Sequence, residues 1–214
     1  MLFRSVGLFE TSGRAIGNLK HDPDWKDEPN RIWLIEEEYA VRAFVNPGQL
    51  QFDAQRRNQI EKAARANHKD FRKQNRHKNP DPTMQPYDQL RPDLRASNFG
   101  MIAYAWEILR VAGYGVRPAR ADAEPIAFRD KEVEEMARME HGRYVVERLL
   151  AGWRFGPKRA PENKINPCLC KWEELPKHDK DAQDYTRQTV KKWPRLLLAE
   201  GLEVYKLSPF LRPL

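Results

Sequence analysis

One predicted helix places charged side chains on its own apolar stripe. From Lys131 to Leu150, apolar residues recur every three or four positions, which is the spacing of one helix face. Glu140, His141 and Arg148 fall in or beside this stripe. Because buried polar groups need partners, two interpretations stay open. These side chains line a pocket, or Glu140 and Arg148 join a buried ion-pair network while His141 bonds a backbone carbonyl.

A glycine-flanked aromatic segment follows this helix, with the sequence GWRFG from Gly152 to Gly156. Glycine permits a tight turn, so the pattern favours a turn that presents the rings of Trp153 and Phe155. Basic residues surround the segment, and aromatic faces beside guanidinium donors suit a stacked base with a phosphate or another flat anion. The alternative is that both rings are anchors of the core.

Catalytic and metal-binding motifs are missing from the sequence. It contains no nucleophile elbow, phosphate-binding loop or zinc-hydrolase helix. Glu140 and His141 are adjacent, but neighbouring helical residues point about 100° apart, so adjacency alone does not make an acid–base pair. Cys168 and Cys170 have no second cysteine or histidine pair nearby to complete a zinc site. We therefore predict a protein that is not an enzyme and holds neither a metal ion nor a cofactor.

The composition is that of a folded protein with a basic surface. Hydrophobic residues make up 40% of the 214 residues, and no run approaches the roughly 18 apolar residues of a membrane helix. We expect a cytoplasmic protein without membrane contact. The net charge of +7 is concentrated between Arg56 and Lys78. Such a run can attract nucleic acid, but a solvated helix face is the favoured interpretation, which makes nucleic acid an unlikely partner.

An internal repeat organises the chain after the turn residues at 46–48. A shift of 73 positions places Ala64 on Ala137, His68 on His141 and Phe71 on Tyr144, and a shift of 85 places residues 87–90 on 172–175. Each copy continues into an apolar-periodic segment that ends at a glycine, from Phe99 before Gly113 and from Tyr185 before Gly201, and each glycine is a predicted helix end. The increase from 73 to 85 leaves 12 extra residues between the first two helices of the second copy.

The connections around the repeats complete the predicted organisation. Within Arg31–Val45 the run Ile32–Ile35 is predicted to be a strand. Residues 117–125 are predicted to be a linker, and Asp130 is predicted to be the N-cap of the next helix. We interpret residues 1–50 as the tail of an upstream domain, residues 51–118 as a diverged first repeat and residues 126–207 as the second repeat.

Four segments of the second copy resemble the RyR domain, the repeat unit of ryanodine receptors. They are MARMEHGRY from Met136 to Tyr144, GWRFG from Gly152, PCL from Pro167 and WEELP from Trp172. The first copy keeps counterparts such as His68 and Leu90 but lacks the glycine–tryptophan turn. Asn166 stands where the family usually has histidine, and Tyr144 replaces a frequent tryptophan. The chain thus resembles a tandem RyR-repeat protein of bacterial type.

This resemblance implies a mainly α fold with short β-strands (α+β), in which two RyR-like repeats pack with pseudo-twofold symmetry. It also implies a regulatory module that senses a small, nucleotide-like molecule, in some bacterial proteins behind an upstream nucleotide-binding domain. The rings of Trp153, Phe155 and Trp172 would then stack on the ligand. The full set of candidate ligand-binding residues is Glu140, His141, Tyr144, Arg148, Trp153, Phe155, Arg159, Lys164 and Trp172. A protein–protein interaction module is the competing hypothesis, and weak nucleic-acid binding is a third.

Overall fold

The computed structural model describes residues 53–75 and 82–208. Within these ranges the helices are α1 (Ala54–Gln74), α2 (Pro92–Val111), α3 (Asp130–Leu150), α4 (Leu175–His178) and α5 (Ala182–Leu198). Strands β1 (Tyr114–Pro118) and β2 (Leu202–Lys206) pair antiparallel. Single-turn 3-10 helices lie in the connections at Pro82–Met84, Tyr87–Gln89, Pro161–Asn163 and Trp172–Glu174. The described chain is mainly helical with one short sheet, so the predicted α+β class is confirmed.

Glycines with positive φ follow three of the four long helices of the described chain, namely α2, α3 and α5. Gly113 has φ 85° and Gly201 has φ 75°, as predicted for residues that stop a helix. Gly152 has φ 78° and follows the C-cap of α3, where it turns the chain toward Trp153. Residues with a β-carbon rarely adopt this backbone conformation, so glycine is favoured at these turns.

Two helix starts differ from the predictions. Asp130 is not the N-cap of α3; Arg129 is, because Glu132 accepts hydrogen bonds from both the backbone and the side chain of Arg129. Helix α2 starts at Pro92, seven residues before the predicted apolar segment. A proline in the first turn suits a helix start, since its missing N–H would have no partner there.

The sheet shortens the predicted linker. Residues 117 and 118 belong to β1 rather than to a linker, because Arg117 pairs with Glu203 and lies over the ring of Tyr205, both on β2. The register places Tyr114 opposite Lys206 and Val116 opposite Val204. The sheet therefore joins the chain ends of the two predicted repeats.

The helices pack around one apolar core. Helix α2 lies between α1 and α3, and α5 contacts both α1 and α3 as well as β2. Trp153 and Trp193 are among the largest fully buried side chains. No helix in residues 53–75 and 82–208 combines the length and apolarity needed to cross a bilayer. The predicted strand within 31–45 and the interpreted upstream tail, residues 1–50, lie outside the described residues.

The same order of elements occurs twice in the described chain. A long helix, two 3-10 helices, a second long helix and a strand follow one another from α1 to β1 and again from α3 to β2, where the short helix α4 is added before α5. Equivalent contacts accompany this order: Arg65 pairs with Asp88 in the 3-10 helix Tyr87–Gln89, and Arg138 pairs with Glu173 in the 3-10 helix Trp172–Glu174. The predicted pseudo-twofold packing of the two segments stays a prediction.

Candidate functional site

A cavity of about 680 Å³ lies between the two predicted repeats. Helices α1, α2, α3 and α5 all contribute to its walls, together with residues of the two connections that carry the 3-10 helices. This volume is within the range of small-molecule binding sites. The sequence predicted a site within the second copy, whereas the structure places residues of both segments around one cavity.

Positions related by the internal repeat line the same cavity. The shift of 73 relates the lining pairs Asn67/Glu140, His68/His141, Phe71/Tyr144 and Asn75/Arg148. The shift of 85 relates the lining pairs Leu90/Leu175, Leu94/Asp179, Ser97/Ala182 and Met101/Thr186. The first wall of the cavity is formed by residues between 67 and 101 and the second wall by residues between 140 and 189, and the two walls differ in chemistry. Phe71, Leu94 and Met101 make the first wall more apolar, and their counterparts in the second wall are polar or charged.

A buried ion-pair network supports one part of the second wall. Arg143, with a side chain 1% exposed, donates to both oxygens of Glu140 at 2.8 Å and also pairs with Glu147. Burial raises the pKa of Glu140, and the Arg143 charge opposes this rise. The network interpretation thus holds for Glu140, but its partner is Arg143 rather than Arg148. Sequence reasoning missed Arg143, although glutamates three positions before and four after it mark an i,i+3 and i,i+4 pattern.

Arg148 is the least satisfied charged group in the described walls. Its side chain is 7% exposed, and its Nε and Nη1 atoms are buried without a hydrogen-bond partner in the part of the chain that the structure describes. The nearest carboxylate, that of Asp93, lies 3.9 Å from Nη1, beyond hydrogen-bonding distance. The guanidinium lies over the rings of Tyr144 and Trp153, with its carbon 5.2 and 4.8 Å from their centroids. Stacking holds this cation at the cavity while at least two of its donors stay unused.

Two histidines occupy equivalent positions in the walls. His141 Nε2 lies 2.7 Å from the carbonyl oxygen of Cys170, and His68 Nε2 lies 2.8 Å from that of Gln85. A carbonyl only accepts, so Nε2 carries the proton and donates in both rings. Burial lowers the pKa of both histidines, for His141 to about 4, so both are neutral at pH 7. The predicted carbonyl bond of His141 is thereby confirmed.

This burial predicts a pH-dependent stability. The pKa of His141 is about 4 in the folded protein and 6.5 in the unfolded chain. The stability that the neutral, buried imidazole contributes is therefore fully present above pH 6.5 and is lost as the pH falls toward 4. The loss should amount to about 3 kcal/mol in the free energy of unfolding. Urea titrations between pH 7 and 4 measure it. His141→Gln keeps an N–H donor but does not titrate, so its loss should be smaller; an identical loss in both proteins would contradict the assignment.

The other predicted site residues divide between the cavity and the core. Tyr144 lines the cavity, and its hydroxyl accepts from Asn166 at 2.7 Å. Arg159 also lines the cavity and is exposed, in agreement with its predicted place outside the helical core. Tyr185, which the sequence did not single out, closes one side through a 5.9 Å ring contact with Phe71.

Four predicted residues do not line this cavity. Trp153 is 2% exposed and donates to Asp93 at 2.9 Å, and Trp172 is 5% exposed and donates to Glu134 at 2.8 Å. The ring of Phe155 contacts His178, and Lys164 Nζ donates to the carbonyl of Ala151 at the end of α3. Trp153, Phe155 and Trp172 thus pack against other residues of the protein. The predicted turn places the indole of Trp153 against Arg148 rather than in open space.

The basic run has intramolecular partners over much of α1. Arg56 lies over Trp106, Arg57 lies over Phe99, and Arg72 donates to the carbonyl of Met84 at 2.8 Å. Arg65 pairs with Asp88 at 2.6 Å. Contacts of this kind favour a helix face that packs on its own protein over a phosphate-binding surface.

A comparison with known protein families bears on the second segment. Residues 125–206 match the RyR domain. This single match covers α3, α4, α5 and β2 and therefore includes Arg148, the histidine of the second wall and the glycine–tryptophan turn. Residues 51–118 lie outside it, so their relation to the RyR domain rests on the internal repeat. No curated protein matches the sequence at a significant level.

Proposed function

We propose that this protein is a non-catalytic regulatory module that binds a small, flat anion in the cavity between two RyR-like repeats. The RyR match of residues 125–206 supports the regulatory or interaction class of the protein. The single observation that carries the ligand class is Arg148, a buried guanidinium that lines the cavity with unused donors. Burying a cation with donors that lack hydrogen-bond partners is costly, and the charge of an anion in the cavity would offset part of that cost.

The shape of the cavity supports a planar ligand with one charged edge. An aromatic or heterocyclic ring would lie against the apolar wall formed by Phe71, Leu94 and Met101. Its anionic group would reach Arg148 on the opposite wall, with Arg159 near the surface as a second cation. The neutral imidazoles of His68 and His141 add acceptors for N–H or O–H groups on the ring. A nucleotide-like molecule meets all of these requirements.

Residues 51–118 act in this proposal as a diverged first repeat that supplies the apolar wall. The paired lining positions favour this arrangement, because residues 67–75 and 90–101 present to the cavity positions equivalent to those of residues 140–148 and 175–186. An experimental structure in which residues 59–116 and 129–205 superpose would support the two-repeat architecture.

A thermal-shift panel tests the proposed function. It contains nucleoside monophosphates, dinucleotides and aromatic carboxylates, with the matching nucleosides and aromatic amides as neutral controls. A ligand that binds only the folded protein, at 100 times its dissociation constant, should stabilise it by about 2.7 kcal/mol. We expect stabilisation by at least one planar anion and none by its neutral counterpart. Stabilisation by neutral compounds alone, or by no compound, would remove the basis for an anion site.

A further inference from the structure

The carboxylate of Asp93 lies 3.9 Å from Arg148 Nη1. Asp93 belongs to the first turn of α2 and does not line the cavity. Its Oδ1 accepts from Arg91 Nε at 2.6 Å, and its Oδ2 accepts from Arg91 Nη2 at 3.1 Å and from Trp153 Nε1 at 2.9 Å. The side chain is 15% exposed. One carboxylate thus joins the start of α2 to the turn that follows α3.

The hydrogen bonds of this carboxylate go to groups other than Arg148. Arg91 and Trp153 donate three hydrogen bonds to it, and the 3.9 Å separation leaves Arg148 bound to it by charge alone. Burial by itself would raise the pKa of Asp93, but the hydrogen bonds from Arg91 and Trp153 outweigh it and lower the pKa to about 2. Asp93 is therefore charged at every pH at which the protein would be assayed.

We propose that Asp93 is an internal counter-ion that sets the anion affinity of Arg148. This inference rests on the proposed function of the cavity. The Asp93 charge stabilises the guanidinium when the cavity holds no ligand, and it repels an anion that binds to Arg148 in the cavity. Its hydrogen bond to Trp153 fixes the indole on which Arg148 stacks. Asp93 is thus a positioning residue that keeps binding reversible and makes it sensitive to the contact between α2 and residues 152–153.

The Asp93→Asn substitution removes the charge of Asp93 and retains its hydrogen bond to Trp153, so it tests the two effects separately. The asparagine oxygen still accepts from the indole, while the negative charge is lost. Without that charge, benzoate should bind about three- to tenfold more tightly, since one repulsive neighbour of the ligand anion has gone. The affinity for benzamide, which has the same shape but no charge, should not change. A purely structural role for Asp93 would lower both affinities or neither.

Two-dimensional NMR provides the measurement, with the Trp153 indole N–H as the reporter. Its signal is assigned with Trp153→Phe and followed during benzoate and benzamide titrations of both full-length proteins. Tighter benzoate binding with unchanged benzamide binding is the expected result. Equal or weaker benzoate binding by folded Asp93→Asn overturns the inference while leaving the proposed function intact. The absence of saturable benzoate shifts in both proteins overturns the inference, whereas the thermal-shift panel of planar anions decides the proposed function separately.

Arg91→Gln provides a second test in the opposite direction, in case Asp93→Asn does not fold. Arg91 does not line the cavity, and its guanidinium pairs with the Asp93 carboxylate. Removing this cation leaves more of the Asp93 charge acting on the site, so benzoate should bind about threefold more weakly. Unchanged or tighter binding by Arg91→Gln would overturn the inference.

Discussion

The Arg148→Met variant is expected to lose anion binding without losing stability. Charge-assisted hydrogen bonds contribute about 1.5 to 3 kcal/mol, so the planar anion identified by the thermal-shift panel should bind at least about tenfold more weakly. Arg148 makes no hydrogen bond within the described residues through Nε or Nη1, and methionine preserves much of its packing against Tyr144 and Trp153. The temperature midpoint of unfolding should therefore stay the same or rise.

Calorimetric titration and thermal unfolding measure these two effects on the same preparation. Arg154→Met is the matched control, because Arg154 is exposed, lies on the loop after α3 and does not line the cavity. Its affinity should equal that of the unmodified protein. A large fall in the unfolding temperature of Arg148→Met, with ligand affinity retained, would mean that Arg148 is a structural residue.

A large loss of stability is expected when Arg143, which lies five residues before Arg148 on the same helix, is replaced. Arg143→Met leaves the buried Glu140 carboxylate and its neighbour Glu147 without their cation. Breaking a buried ion pair by removing one partner typically costs about 3 to 5 kcal/mol, so this variant should be strongly destabilised. Urea unfolding with the slope held constant measures the change in the free energy of unfolding.

Arg138→Met is the control for this second variant. Arg138 also pairs with two carboxylates, on Glu134 and Glu173, but its side chain is 37% exposed. An exposed ion pair contributes about 0 to 1 kcal/mol, so the control should unfold close to the unmodified protein. Equal destabilisation of both variants would contradict the importance of burial in this network.

Local sequence signals predicted the helices and their ends. Apolar spacing located α3 within one residue, and the glycines at 113 and 201 end the preceding helices through their positive φ. Such features depend on a few neighbouring residues, which is why they are visible in one sequence. The start of α2 depends on Pro92. The strand residues 117–118 depend on pairing with β2, which is distant in the sequence.

The candidate site was only partly visible in the sequence. The stripe on α3 identified Glu140, His141, Tyr144 and Arg148, all of which line the cavity. The contribution of α1 and α2 was missed, because no local pattern tells which distant helices pack beside α3. For example, Asn67 of α1 lines the same cavity as Arg148. The aromatic turn was assigned to the ligand, but Trp153 and Trp172 have buried partners that only the fold reveals.

A crystal structure of the protein with the planar anion that gives the largest stabilisation tests the central claim most directly. The ligand ring should lie against Phe71 and Met101, with its anionic group about 2.7 to 3.1 Å from donors of Arg148. The Glu140–Arg143 pair and the histidine–carbonyl bonds should be unchanged. A ligand bound away from this cavity, or one bound within it whose anionic group does not contact Arg148, would contradict the account.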